Sequence, residues 1–234
     1  MRRALITGAG RGIGRHTALA LARHDHWHLV LLARSREELE RVAREVRELG
    51  SSCDVVAVDL TGDGEPEAAC AAALELLGGR LDLLVNNAGA FDLCDLADLE
   101  RAFWDRMLEL NLTVPAFATR ACLPGLQASA VADRAPVVVQ VASIAAEVGF
   151  PGNAAYGASK YGLRGLSDSL RAELEPTGIA VRTVYPGATD TSIFDDVEGD
   201  WDRATMDRPE DVAELIRRAA EPDAPNELRM YERP

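Results

Sequence analysis

Short aliphatic runs recur along this chain, and nearly every one is followed by a stretch of helical periodicity. The runs cover residues 3–7, 29–32, 55–58, 81–85, 137–141 and 179–184, with a last candidate at 227–231. Helical stretches follow at about 12–23, 35–49, 65–77, 96–127, 154–175 and 209–220. Leu29–Leu32 is apolar throughout, as expected of a strand covered on both faces. Ser35 and Glu38 form a capping box, and Leu39, Val42 and Val46 recur at helical spacing before Gly50. The stretch 96–127 is expected to bend near Pro115. Strands alternating with helices over short connections demand parallel pairing with crossover helices. The fold class is therefore α/β: a doubly wound, mostly parallel seven-stranded sheet with helices on both faces.

A length of 234 residues suits one such domain, 1–234, without linker or repeat. Net charge is −13. That disfavours a nucleic acid or an anionic membrane as partner, since both need a basic surface. Met1–Thr7 lacks the apolar core of a signal peptide, and no run approaches the ~18 apolar residues of a membrane span. Cys53, Cys70, Cys94 and Cys122 are scattered, as expected of reduced thiols in a cytoplasmic protein. His24, His26 and His28 cluster around Asp25 and read as a helix-end surface group, with no metal expected; His16 stands apart.

Two motifs carry chemistry. Gly8-Ala9-Gly10-Arg11-Gly12-Ile13-Gly14 closes the first strand and opens the first helix. Glycines there let the backbone approach a pyrophosphate, and the helix start supplies N–H groups and positive potential. Tyr156 and Lys160, four residues apart, share a helix face at about 5–6 Å between Cβ atoms. An ammonium beside a phenol favours phenolate and makes a candidate acid/base. Alone, such a pair is more often a half-buried ring beside a solvated lysine. Ser143 alone could be a strand-end cap, Asn111 a helix polar residue and Asp59 a strand-end cap.

Together these motifs resemble the short-chain dehydrogenase/reductase family. The spacing Thr7-Gly8-x-x-x-Gly12-x-Gly14 is followed in order by Asn86-Asn87-Ala88-Gly89, Asn111, Ser143, Tyr156-x-x-x-Lys160 and Pro186-Gly187. The resemblance covers nearly the whole chain and implies a Rossmann-type fold binding a nicotinamide dinucleotide. It implies that Gly8, Gly12 and Gly14 form the pyrophosphate turn, with Gly10, Arg11 and Ile13 beside them. Asp59 and Leu60 would meet the adenine, and Asn86, Ala88 and Gly89 the ribose side. Thr189 and Thr191, after Pro186 and Gly187, would meet the nicotinamide amide and the phosphates. It further implies that Tyr156 exchanges a proton with a carbonyl or alcohol oxygen and Ser143 orients that oxygen. Lys160 would lower the phenol pKa and bond the nicotinamide ribose, and Asn111 would hold a water linking Lys160 to solvent.

NADP(H) is expected over NAD(H). After the second strand, Ala33-Arg34-Ser35-Arg36 offers no acid until Glu37. An acid repels a 2′-phosphate, whereas arginine binds it through two N–H bonds. Arg34 and Arg11 match basic positions of NADP-preferring relatives.

The substrate is expected to be a small carbonyl compound or its alcohol, in a pocket of Phe91, Leu93, Ile144, Val148, Phe150, Ile193, Phe194 and Trp201. Asp190, Asp195, Asp196, Glu198, Asp200 and Asp202 nearby should disfavour acidic substrates. A homodimer through the helices around Asn111 and Tyr156 is expected. A tetramer is possible, although Leu228–Pro234 departs from the glycine-containing strand of tetrameric relatives. A silent cofactor sensor is the competing reading; such proteins lose the tyrosine or lysine, and both stand here. A nucleotide-sugar epimerase would need a C-terminal substrate domain, which the chain lacks.

Overall fold

The seven strands pair in the order β3-β2-β1-β4-β5-β6-β7, every pair parallel, in a computed structural model describing residues 1–62, 65–130, 135–195 and 197–230. They are β1 (Arg2–Thr7), β2 (Trp27–Ala33), β3 (Ser52–Ala57), β4 (Leu83–Asn86), β5 (Val137–Val141), β6 (Ala180–Tyr185) and β7 (Glu227–Arg229). The helices are α1 (Gly12–His24), α2 (Arg36–Glu48), α3 (Glu65–Leu76), α4 (Arg101–Leu108), α5 (Val114–Ala130), α6 (Ala154–Leu174) and α7 (Pro209–Ala219). The expected Rossmann-type sheet is therefore present. Tyr231, the expected end of the last strand, lies outside the described residues.

Alternate strand residues face opposite layers, and both layers are dry. Leu5, Val30, Leu32, Leu84 and Val138 pack on Cys70 and Ala73 of α3 and on Ala118 and Leu126 of α5. Ala4, Ile6, Leu29, Leu31 and Val139 pack the other way, on Leu39 and Val42 of α2 and Val212 and Ile216 of α7. Each such buried leucine contributes about 1.5–3 kcal/mol. Burial on both faces is why the strands read as continuous apolar runs.

The order reverses between β1 and β4, which lie side by side with Ile6 opposite Val85. A crevice opens at such a reversal, beyond the carboxyl ends of the strands. The glycine turn leaves β1 there, and Asn86–Gly89 leaves β4.

The stretch 96–127 is not one helix. Leu96–Asp98 is a single 3-10 turn, α4 begins at Arg101, and a π turn over Glu109–Thr113 joins α4 to α5. The irregularity precedes Pro115. A proline has no N–H for the carbonyl of Asn111 four residues back, so the ladder widens and the Val114 N–H reaches Glu109 instead.

Candidate active site

The glycine turn is built by close approach. Gly8 and Gly12 have φ of 66° and 51°. A Cβ on Gly14 would stand 2.3 Å from the Gly8 carbonyl oxygen and 2.6 Å from Asn87 Nδ2. The Asn87 amide donates to the Thr7 and Gly8 carbonyls at 2.9 and 3.2 Å. Thr7 Oγ1 accepts from the backbone of Asn87 and Ala88 at 3.0 and 2.9 Å. Thr7 and Asn87 thus lock the first turn to the end of β4. Both lie inside the quoted motifs, yet neither was singled out, because their bonds span some eighty residues.

The turn fits a pyrophosphate. Arg11 precedes α1 in extended backbone with no side-chain cap, and the first turn of α1 holds no acid. Among the described residues its leading N–H groups therefore have no side-chain partner, and the dipole favours an anion. Ile13 packs on the core beneath. The Thr191 methyl would lie 3.2 Å from a Cβ on Gly12, so the loop after β6 reaches across the turn. Thr189 is buried and pairs with Asp207, Pro186 is buried, and Gly187 accepts from Thr189 Oγ1 at 3.1 Å.

Of the residues expected near the adenosine, Arg11 and Arg34 are exposed. Asp59 accepts from the Thr61 N–H and hydroxyl at 3.0 and 2.8 Å; these bonds, helped by the Arg34 charge, hold its carboxyl below the usual range. Leu60 is buried. Glu38, expected only as a capping-box acid of α2, also approaches the glycine turn: its Oε2 lies 3.0 Å from where a Cβ on Gly10 would be. Asn86, buried, donates to Thr119 Oγ1 at 2.9 Å and so braces α5.

The catalytic candidates meet at the crevice. Ser143 follows β5 and caps the 3-10 turn Ile144–Ala146, accepting from Ala145 N at 3.1 Å. Tyr156, half-buried on the first turn of α6, meets Phe91 edge-on at 4.8 Å. Lys160 is 6% exposed; its Nζ donates to the Val141 carbonyl at 3.1 Å and lies 5.8 Å from the Tyr156 ring centroid. A Cβ on Gly89 would stand 2.8 Å from Asn111 Oδ1 and 3.7 Å from Lys160 Nζ, so only a glycine lets these groups close in.

Two expectations change. Burial pushes the Tyr156 phenol up to about 12, while a hydrogen bond with the Ser143 hydroxyl pulls the other way. The expected lowering by Lys160 is absent, since that amine points at Val141 and burial brings its own pKa down to about 8. The Asn111 side chain, in turn, is spent on protein. It donates to Ala90 O at 2.9 Å and Ser159 Oγ at 3.1 Å, and accepts from Ala90 N at 2.9 Å.

The lysine shift has a sign that can be tested. Lys160 has a folded pKa of about 8 against an ordinary 10.5. Below 8 it is protonated in both states, and its buried charge costs stability. Between 8 and 10.5 the folded state loses its proton first, so stability rises with pH. Urea unfolding of the cofactor-free protein should show the parent gaining about 3 kcal/mol on Lys160→Met across that window. A gap independent of pH would contradict the assignment.

Over the phenol, Phe91 packs on Phe194 at 5.1 Å and Trp201 at 5.7 Å, and those two meet at 4.9 Å. Arg203 straps this loop by donating to Asp190 Oδ1 at 2.9 Å, the Thr191 carbonyl at 2.8 Å and Asp195 Oδ1 at 2.7 Å. Leu93 lies on the neighbouring loop beside Gly152. Val148, Phe150 and Ile193 keep 56%, 38% and 37% exposure, as rim rather than core. Asp196 lies outside the described residues. His28 pairs with Asp54 at 2.7 Å and His24 lies 3.6 Å from Glu214, so these histidines serve different partners. Among the described residues, no helix is long and apolar enough to cross a membrane.

Residues 2–201 match the profile of a family described as short chain dehydrogenase. A curated relative, the short-chain dehydrogenase/reductase FrzI of Cladobotryum sp, is 36% identical over 192 residues, 82% of this chain and 72% of its own. The solved alcohol dehydrogenase of Thermococcus sibiricus, complexed with 5-hydroxy-NADP, superposes with a TM-score of 0.88 at 29% identity, covering 100% and 99% of the two chains. Carveol dehydrogenase of Mycobacterium avium, in complex with NAD, shares the fold: TM-score 0.87 at 23% identity over 98% and 95%.

Proposed function

This chain belongs to the short-chain dehydrogenase/reductase family of oxidoreductases, and on that premise we propose that it interconverts a ketone or aldehyde and its alcohol with NADP(H), within one dinucleotide-binding domain. One observation carries the reading. Tyr156, on the first turn of α6, stands with a buried lysine 5.8 Å from its ring centroid, where Ser143 leaves β5 and Gly89 leaves β4 beside that lysine. When bound, the cofactor supplies the hydride. Tyr156 holds a proton at its hydroxyl and gives it to the developing alkoxide. Ser143 donates a hydrogen bond to the same oxygen and fixes its direction. Lys160 keeps a positive charge beside the site below about pH 8, and Asn111 ties segment 89–90 to α6. Gly8, Gly12, Gly14, Thr189 and Thr191 hold the phosphates and the nicotinamide end.

Structural neighbours carry an NADP derivative in one case and NAD in another. The preference therefore rests on Arg34 and Arg11 against Glu38. Arg34→Glu should weaken NADPH binding about tenfold to hundredfold and leave NADH within a few-fold, since a charged hydrogen bond contributes about 1.5–3 kcal/mol. Titration of both cofactors into both proteins measures this; a parent that binds NADH more tightly contradicts it. Phe91, Phe194 and Trp201 suit a substrate with a hydrocarbon ring. The function is tested by following NADPH absorbance over ketones, aldehydes and diketones. Tight NADPH binding without turnover would favour a silent sensor instead.

A cytoplasmic homodimer belongs to the same reading. Phe117 on α5 and Tyr161 on α6 are 39% and 47% exposed, large side chains of the kind that contact between two copies would cover. Sedimentation analysis decides it, and a clean monomer would overturn the dimer.

A further inference from the structure

A cluster of ionised groups lies where the turn after β5, helix α6 and the edge strands β6 and β7 meet. Glu147 ends the 3-10 turn that Ser143 begins. Its carboxylate accepts from Arg229 Nη2 at 2.7 Å and from Arg229 Nε at 3.1 and 3.3 Å, and lies 3.4 Å from Arg164 Nη1. Arg229 Nη2 also donates to Glu227 at 2.6 Å. Tyr185, opposite Arg229 in the β6–β7 register, is fully buried and donates its hydroxyl to Glu227 at 2.8 Å. The guanidinium groups of Arg229 and Arg164 lie over its ring at 4.8 and 5.8 Å.

This cluster adjoins the segments that carry Ser143, Tyr156 and Lys160. Tyr185 is followed directly by Pro186, whose carbonyl accepts from Ile144 N at 2.8 Å, next to Ser143. Arg164 lies one turn beyond Lys160 and two beyond Tyr156 on the same helix face. The Glu147 and Arg229 side chains are only 16% and 15% exposed. Ion pairs that deep lose hydration and repay it only with good geometry, so they are a poor way merely to hold an edge strand. They are a good way to fix direction, because a fork of parallel N–H bonds allows one orientation.

We propose that the Glu147–Arg229 pair is a positioning device. From the edge strand it sets the turn that carries Ser143 against Tyr156 and the loop after β6. Neither residue touches the reacting atoms; both act through Ser143. The inference rests on the role proposed for Ser143 above. A displacement of Glu147 passes through one 3-10 turn to the hydroxyl that caps it, and a shift of about 1 Å at a reacting group can cost up to 10²-fold.

The test compares the parent with Arg229→Met, Arg229→Lys and Glu147→Gln, using Arg218→Gln, in a surface pair with Asp223, as control. Expected is a kcat about tenfold lower in Arg229→Met and Glu147→Gln, with the NADPH dissociation constant within twofold of the parent. Arg229→Lys should fall between, and the control should match the parent. Amide hydrogen exchange at Ile144 and Ala145 should quicken about tenfold in Arg229→Met, a readout that needs no turnover. A lowered melting temperature alone, with kcat per folded enzyme and exchange unchanged, overturns the proposal. If Arg229→Met does not fold, Glu147→Gln, which keeps the shape, decides. A parent inert toward every carbonyl tested counts against the proposed reaction, and the exchange rates then decide the positioning role.

Discussion

Tyr156→Phe should lower turnover on the order of 10³-fold, or about 4 kcal/mol of barrier, while NADPH still binds. The change deletes one oxygen. That oxygen holds its proton to about pH 12, because burial disfavours phenolate more than the Ser143 hydrogen bond favours it. A phenol so protonated is ready to act as an acid throughout the neutral range. The Phe91 edge contact at 4.8 Å needs only the ring, so packing should survive the exchange. Single-turnover kinetics at saturating NADPH measure the loss. Turnover within tenfold of the parent would remove Tyr156 from the reaction.

Gly14→Ala should damage both stability and cofactor binding. Its Cβ would stand 2.3 Å from the Gly8 carbonyl oxygen. That atom is backbone, so no side chain can swing aside. Helix α1 would have to move off the turn after β1, at about 3 kcal/mol, the upper end of ordinary overpacking. At this chain length that is a fall of roughly 6–12 °C in melting temperature. The same displacement carries the leading N–H groups of α1 away from a pyrophosphate, so NADPH affinity should drop about hundredfold. Gly165, inside α6, supplies the contrast, since no atom of the described residues lies within 4 Å of a Cβ there. Gly165→Ala should stabilise by about 0.5–1 kcal/mol through helix propensity alone. Equal behaviour of the two variants would contradict the close-approach account.

The sheet was legible because its central strands are buried on both faces and leave runs that composition alone marks, whereas the edge strands β3 and β7 are half-buried. Gly8–Gly14 and Tyr156/Lys160 were legible because their geometry is local, set by a turn and by one helical step. The break before Arg101 was not. Glu100 caps α4 without a side-chain bond, and 91–100 carries the same mixture of leucine and acid as a helix surface. The π turn was invisible for a related reason: Pro115 announces a missing hydrogen bond but not the direction in which the ladder adjusts. Long-range pairs were also out of reach. Asn87 with Gly8 and Glu147 with Arg229 are each some eighty residues apart. The state of Tyr156 was misjudged because a Tyr/Lys spacing fixes proximity on a helix and says nothing of burial. Glu38 against Gly10 was missed likewise, since α2 meets the glycine turn only in three dimensions.

The most direct measurement follows the hydrogen itself. NADPH deuterated at the transferring position of its nicotinamide would be incubated with the parent and a carbonyl compound it turns over. The alcohol would then be examined by mass spectrometry. The account predicts an alcohol one mass unit heavier, with the deuterium on the former carbonyl carbon and none in the product formed from unlabelled cofactor. Consumption of labelled NADPH with no deuterium on that carbon would contradict hydride transfer at this site.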